Sequence, residues 1–130
     1  MSVLEKISTL GERMDLELHQ GASLLTVRHT LLKSDQTPVD LTGAVARGQI
    51  RKTAISATVV LSFRTAIAAN PLLGYYEFWL TDEDTATLTC GAKLTDADSL
   101  YEYDIEVETS DGNVRCTFYG AVRVKAGATR

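Results

Sequence analysis

Residues 101–108 read YEYDIEVE, residues 110–113 read SDGN, and residues 114–125 read VRCTFYGAVRVK. In the first run Tyr101, Tyr103, Ile105 and Val107 alternate with Glu102, Asp104, Glu106 and Glu108, the period of two that sends successive side chains to opposite faces of a strand. In the last run Val114, Cys116, Phe118, Val122 and Val124 share one parity, and Arg115, Thr117, Tyr119, Arg123 and Lys125 share the other. A two-residue turn at Asp111 and Gly112, with positive φ at both, predicts Val107 opposite Cys116, Ile105 opposite Phe118 and Glu108 opposite Arg115. Tyr103 then falls opposite Gly120, where its ring covers a residue that has no side chain to pack. The hairpin decides for a β fold and carries no evident chemistry, so function is to be sought in surfaces.

Outward from the hairpin the same alternation recurs. Met14, Leu16 and Leu18 alternate with Asp15, Glu17 and His19; in residues 22–32 Leu25, Val27, His29 and Leu31 share a face. Residues 33–42, KSDQTPVDLT, form a turn-rich loop. In residues 43–52 Val45, Arg47, Gln49 and Arg51 oppose Ala44, Ala46, Gly48 and Ile50, a small face that lets another sheet approach closely. Val59, Leu61 and Phe63 continue the pattern through residues 58–66. YYEFWL at 75–80 sets Tyr76, Phe78 and Leu80 on one face and Tyr75, Glu77 and Trp79 on the other. TDEDTATL at 81–88 reads as one helical turn capped by Thr81, with Asp84 at its third position. About seven short strands with turn signals every ~8 to 12 residues and one helical turn predict an all-β, antiparallel sandwich. Residues 14–130 make that domain, and residues 1–13 stand apart as an extended N-terminal arm whose Leu4, Ile7 and Leu10 recur every third position.

A chain of 130 residues, 45% hydrophobic and 23% charged, suits one domain able to bury a core without metal or disulfide staples. The sequence contains no apolar run long enough to span a bilayer and no basic start with an apolar stretch at its N-terminus, so synthesis in a cytoplasm without export is expected. Cys116 lies on the apolar parity of its strand and reads, with Cys90, as a free thiol rather than half of a bridge. The net charge of −4 is unevenly spread: from Glu77 to Asp111 there are eleven acidic residues against Lys93, while the remainder carries twelve basic against six acidic. Two readings stand. The charges are paired across strands and solvated, or an acidic patch on one subunit meets a basic patch on its neighbour.

Catalysis needs a nucleophile with a base, or converging ligands. His29 shares the apolar face of its strand and reads as a hydrogen-bonded core histidine; His19 lies near Asp15 and Glu17 with no further His or Cys at metal spacing. The carboxylates Asp82, Glu83, Asp84, Asp96 and Asp98 match no calcium loop. GQIRK at 48–52 lacks the glycines and hydroxyl of a phosphate loop, and the short basic stripe of Arg47, Arg51 and Lys52 has no interleaved aromatics for nucleic acid. The expectation is a protein that is not an enzyme, with no cofactor, no metal, no nucleic acid and no membrane.

TPVDLTGAVARGQIRK at 37–52, TDEDTATL, the final hairpin and the terminal Thr129-Arg130 together resemble small tail and baseplate structural proteins of tailed bacteriophages, over roughly residues 15–130. The resemblance implies an immunoglobulin-like sandwich serving as a repeated structural piece of a virion. It would be made in the host bacterial cytoplasm and assembled with other virion proteins and copies of itself, in the tail, baseplate or neck. The alternative is a carbohydrate-binding or adhesin-like sandwich using Tyr75, Trp79 and Tyr119. The interface candidates are Leu4, Ile7 and Leu10 of the arm, the aromatics Tyr75 and Trp79, the basic Arg47 and Arg51, and Asp104 and Glu106. On the predicted register Asp104 faces Tyr119 and Glu106 faces Thr117, leaving both acids outward as a docking strip for a basic neighbour.

Overall fold

A computed structural model describes residues 11–90 and 97–127. Among these residues there are nine strands: β1 Glu12–Arg13, β2 Leu16–His19, β3 Leu24–Thr30, β4 Val45–Arg51, β5 Leu61–Ser62, β6 Arg64–Ile67, β7 Tyr75–Leu80, β8 Ser99–Glu108 and β9 Val114–Lys125. A 3-10 turn, Pro71–Leu73, and the helical turn α1, Asp82–Ala86, complete the described elements. One sheet is ordered β1-β9-β8-β4-β5, with β2 also on β9; the other is β3-β7-β6. A β9-β8-β4 layer against a β3-β7-β6 layer is the immunoglobulin-like sandwich plan.

The core lies between the layers and follows the alternation. Tyr76, Phe78 and Leu80 of β7 meet Tyr101, Tyr103, Ile105 and Val107 of β8 and Val122 and Val124 of β9, all buried. Full burial of one such side chain contributes about 1.5–3 kcal/mol. On the small face of β4 a Cβ on Gly48 would overlap Ile105 Cδ1 of the same sheet and lie 2.9 Å from Phe63 Cδ2, and from the other sheet Thr65 of β6 comes close enough to donate to Ala46 O at 2.8 Å. Phe63 joins an aromatic cluster, its ring 5.6 Å from those of Phe78 and Tyr103.

Five expectations need correction. The sandwich is not wholly antiparallel, because β1 and β2 run parallel to β9; the chain enters alongside the last strand and must then cross to begin β3 in the other sheet. Glu12 and Arg13, assigned by sequence to the arm, pair with Phe118 and Tyr119. Residues 58–66 do not form one strand: Leu61–Ser62 pair with β4, the chain changes sheets at Phe63, and Arg64–Ile67 pair with β7. In β3, read from sequence as a strand partly covered on both faces, a bulge between Leu24 and Val27 leaves Leu25 80% exposed, unlike Val27, His29 and Leu31 of the same parity.

The fifth correction is the hairpin register. Ile105 lies opposite Phe118 and Tyr103 opposite Gly120 as predicted, but a bulge then places Glu106 opposite Cys116, Val107 opposite Arg115 and Glu108 opposite Val114. The cause is the turn. Only Gly112 has positive φ, its N–H donates to Thr109 O, and Thr109 N–H donates to Asn113 O, giving a three-residue loop instead of two. The extra residue is absorbed at Thr117, which turns inward beside Phe118; both are buried.

Thr117 thereby completes a polar chain across the layers. Its hydroxyl donates to Ile105 O at 3.2 Å and accepts from the Tyr76 hydroxyl at 2.6 Å, while the Tyr76 oxygen accepts from His29 Nδ1–H at 3.1 Å. This directionality satisfies all three groups and assigns neutral His29 its Nδ1–H tautomer. Burial pushes the Tyr76 phenol up to about 12 and the His29 imidazole below its ordinary value. At the start of β8 the Tyr101 hydroxyl donates to Thr89 O at 2.6 Å, a tyrosine corner, and two residues on Tyr103 stands where antibody domains carry a bridge cysteine. Cys90 and Cys116 are free and half-buried. Thr81 caps α1 in a reciprocal box with Asp84, as the sequence indicated.

Candidate functional site

The β4-β8-β9 register lines up outward side chains in rows across the sheet. Val45, Glu108 and Val114 form one row; Arg47, Glu106 and Cys116 the next; then Gln49, Asp104 and Tyr119; then Arg51, Glu102 and Ala121. β1 extends the third row by placing Arg13 beside Tyr119. Arg47, Arg51, Asp104 and Glu106, proposed from sequence as parts of opposed patches, are therefore interleaved on one face.

Two of these charges answer one another. Arg47 reaches Glu108 Oε1 at 3.0 Å and Glu106 Oε1 at 3.6 Å, and the Glu108 hydrogen bond raises the arginine's already high pKa. Glu106 is thus not the unpaired outward acid expected; the bulge moved it opposite Cys116, and β4 supplies its partner. Arg51 donates to Ser56 O at 2.6 Å and to Gln49 Oε1 at 2.9 Å. Glu102 Oε2 accepts the Ala54 amide at 2.9 Å, and Arg13 lies 3.2 Å from Asp15. Elsewhere Glu77 meets Arg28 at 3.4 Å, Asp84 meets Arg64 at 2.8 Å and Asp98 meets Lys125 at 3.5 Å. Five of the eleven acids of the 77–111 segment, Glu77, Asp84, Asp98, Glu106 and Glu108, are thus paired with bases from the rest of the chain, which places part of the segment's charge in pairs between elements.

Asp104 is different. Among the described residues no hydrogen bond or ion pair joins its carboxylate. It lies in a groove of about 400 Å³ lined by Arg13, Gln49, Arg51, Glu102 and Tyr119. Although Asp104 is exposed by area, desolvation by the groove walls raises its carboxyl above the usual value, reinforced by Glu106 and opposed by Arg51 and Arg47. The sequence showed these acids and bases but not which strands adjoin; the β4-β8 pairing is what brings Gln49 and Arg51 beside Asp104 and Glu102.

Tyr75 and Trp79 lie on the opposite outer face, half-buried on β7. Arg28 sits 4.0 Å over the Tyr75 ring, and Trp79 is paired in register with Arg64. The two candidate sets are thus separated by the thickness of the sandwich. Leu4, Ile7 and Leu10 lie outside the described residues, as does Asp96.

Each chemically suggestive group has a structural task. His29 belongs to the inter-sheet chain; His19 Nε2 lies 3.0 Å from Ala126 O, which accepts its proton. Asp84 serves the helix cap and Arg64, Asp82 accepts the Glu83 amide at 3.0 Å, and no three His, Cys, Asp or Glu side chains converge on a metal position among the described residues. Among the described residues no helix is long and apolar enough to cross a membrane.

No known protein family matches the chain, and no curated protein matches it. Among solved structures, one of murine CRIg is similar over 87% of this chain and 92% of that one, with 9% sequence identity and a TM-score of 0.35. The strand pairings alone establish the two-sheet plan.

Proposed function

We propose that this chain is a structural subunit of a tailed-bacteriophage virion, assembling in multiple copies with itself and other virion proteins in the tail, baseplate or neck. The observation that carries this reading is the outer face of β4, β8 and β9, a rigid strand ladder that gathers ionic side chains and one open groove on a surface rather than in an enclosed pocket. The sequence run 37–52 and the acidic helical turn, which resemble phage tail and baseplate proteins, supply the kind of assembly. A sandwich whose buried side-chain polar atoms are all hydrogen-bonded among the described residues suits a repeated building piece, because docking then orders little that is not already ordered. Quantitative peptide mass spectrometry of purified particles from a phage carrying this gene tests it: the chain present at a fixed stoichiometry of several copies per particle is expected, and its absence from washed, intact particles overturns the reading.

A carbohydrate-binding role is the second reading, favoured by one observation: Tyr119 borders the same groove as Gln49, Glu102 and Asp104, a mixture of aromatic, amide and carboxylate groups suited to sugar rings and hydroxyls. Trp79, on the other face, is no reporter for that groove. Calorimetric titration with host glycans producing saturable heat that is lost in Tyr119→Ala supports it, and absence of heat contradicts it.

A further inference from the structure

We propose that the groove over Asp104 seats a cationic side chain, an arginine or lysine, presented by a neighbouring protein subunit. Three of the cations on this face are committed: Arg13 to Asp15, Arg47 to Glu106 and Glu108, and Arg51 to the Ser56 carbonyl and the Gln49 amide oxygen. Four arginines, Arg123 included, stand against the six carboxylates of Asp15, Glu17, Glu102, Asp104, Glu106 and Glu108, so these groups carry an excess of two negative charges. Asp104 is the groove-lining member of that set with neither a hydrogen bond nor an ion pair among the described residues.

The groove also discriminates among cations by shape. The carboxylates are spread along the ladder and do not converge as metal ligands would. Tyr119, directly opposite Asp104, offers a ring on which a guanidinium plane stacks while its fork meets the carboxylate, the geometry that favours arginine over an isolated ion. Partial desolvation of Asp104 along the groove acts in the same direction, because a carboxylate that has lost part of its hydration gains more from a fitted cation than a fully hydrated one. The origin of the side chain in a neighbouring subunit rests on the assembly reading above; the preference of the groove for a cation does not.

Titration of the full chain with N-acetyl-arginine amide, followed by amide NMR, tests the groove by itself. Saturable shifts are expected at Gln49, Asp104, Tyr119 and Ala121, together with a lowered titration midpoint for the Asp104 carboxyl. Binding should weaken about tenfold or more in Asp104→Asn, whose spectrum elsewhere reports an intact fold. The neutral isostere N-acetyl-citrulline amide should leave these shifts absent. No saturable shift, equal response to citrulline, or full binding by Asp104→Asn overturns the proposal. Arginine binding by a chain that proves absent from particles would sink the assembly reading and leave the groove's preference standing.

Discussion

Tyr103 and Gly120 face each other across the β8-β9 ladder, and the main chain of Met14 occupies the space between them that a side chain at position 120 would need. A Cβ on Gly120 would lie 2.5 Å from Met14 O, and the Tyr103 hydroxyl donates to that same oxygen. The adjoining Asp15 carboxylate accepts the Ala121 amide at 3.0 Å, which draws its pKa down. The break between β1 and β2 is thus pinned to the hairpin from two sides, and β9 carries its glycine because the backbone of residue 14 passes there.

Gly120→Ala should therefore destabilise by about 1–3 kcal/mol, the cost of forcing atoms into a filled space. Tyr103→Phe, which leaves the Met14 carbonyl without its donor, should cost about 1–3 kcal/mol. Urea unfolding with an unchanged slope checks both. If the two changes are additive in the double variant, the contact does not couple them as described.

The chain His29–Tyr76–Thr117–Ile105 predicts cooperativity among its members. Tyr76→Phe and Thr117→Val should each destabilise by about 1–3 kcal/mol, because each leaves a buried polar group short of a partner. The double variant should lose less than the sum, since removing both ends of one hydrogen bond leaves fewer groups stranded. A double-mutant cycle from chemical denaturation reads this coupling.

His29 adds a pH dependence. Burial lowers its folded pKa from the ordinary 6.5, with Glu12 opposing and Arg115 assisting. A proton binds the unfolded chain more readily than the folded one, so this contribution is complete above the ordinary value and is lost as the pH falls toward the lower folded value. Between about pH 7.5 and pH 5 the wild type should lose more thermal stability than His29→Gln. Parallel melting curves for the two proteins would remove His29 from this role.

At lower pH the relevant group is Asp84. Hydrogen bonds from Arg64 and from the Thr81 amide hold its carboxyl at about 2, against an ordinary 3.8. A depressed carboxylate stabilises the fold above its unfolded pKa, and that contribution disappears as the pH falls through the folded value. Asp84→Asn should cost about 1 kcal/mol near neutrality through the weakened cap. The difference from wild type should narrow on acidification from about pH 4 to pH 2. A gap that stays constant over that range contradicts the assignment.

The alternation in β7, β8 and β9 was legible in sequence because a period of two directly encodes burial, and Tyr76, Phe78, Ile105 and Val122 lie where that period places them. The capping box at Thr81 was legible because it is local. Features set by strand neighbours were not. Whether Glu108 lies opposite Arg115 or Val114 depends on one residue of turn length at Gly112, and that shift also buries Thr117; Arg47, which meets Glu106 and Glu108, comes from β4, a neighbour that no local pattern reveals. The groove was hidden for the same reason: Arg13, Gln49, Asp104 and Tyr119 come from four strands, and only the pairing order places them side by side.

Carboxyl footprinting of the free and assembled subunit tests the central claim most directly. Labelling with a carbodiimide and an amine should modify Asp104 in the isolated chain and leave it protected in assembled particles, while Glu83 on α1 stays reactive in both. Asp104 equally reactive in free and assembled states would contradict the account, because the outer face of β4, β8 and β9 would then be open to water where it is held to meet a neighbour.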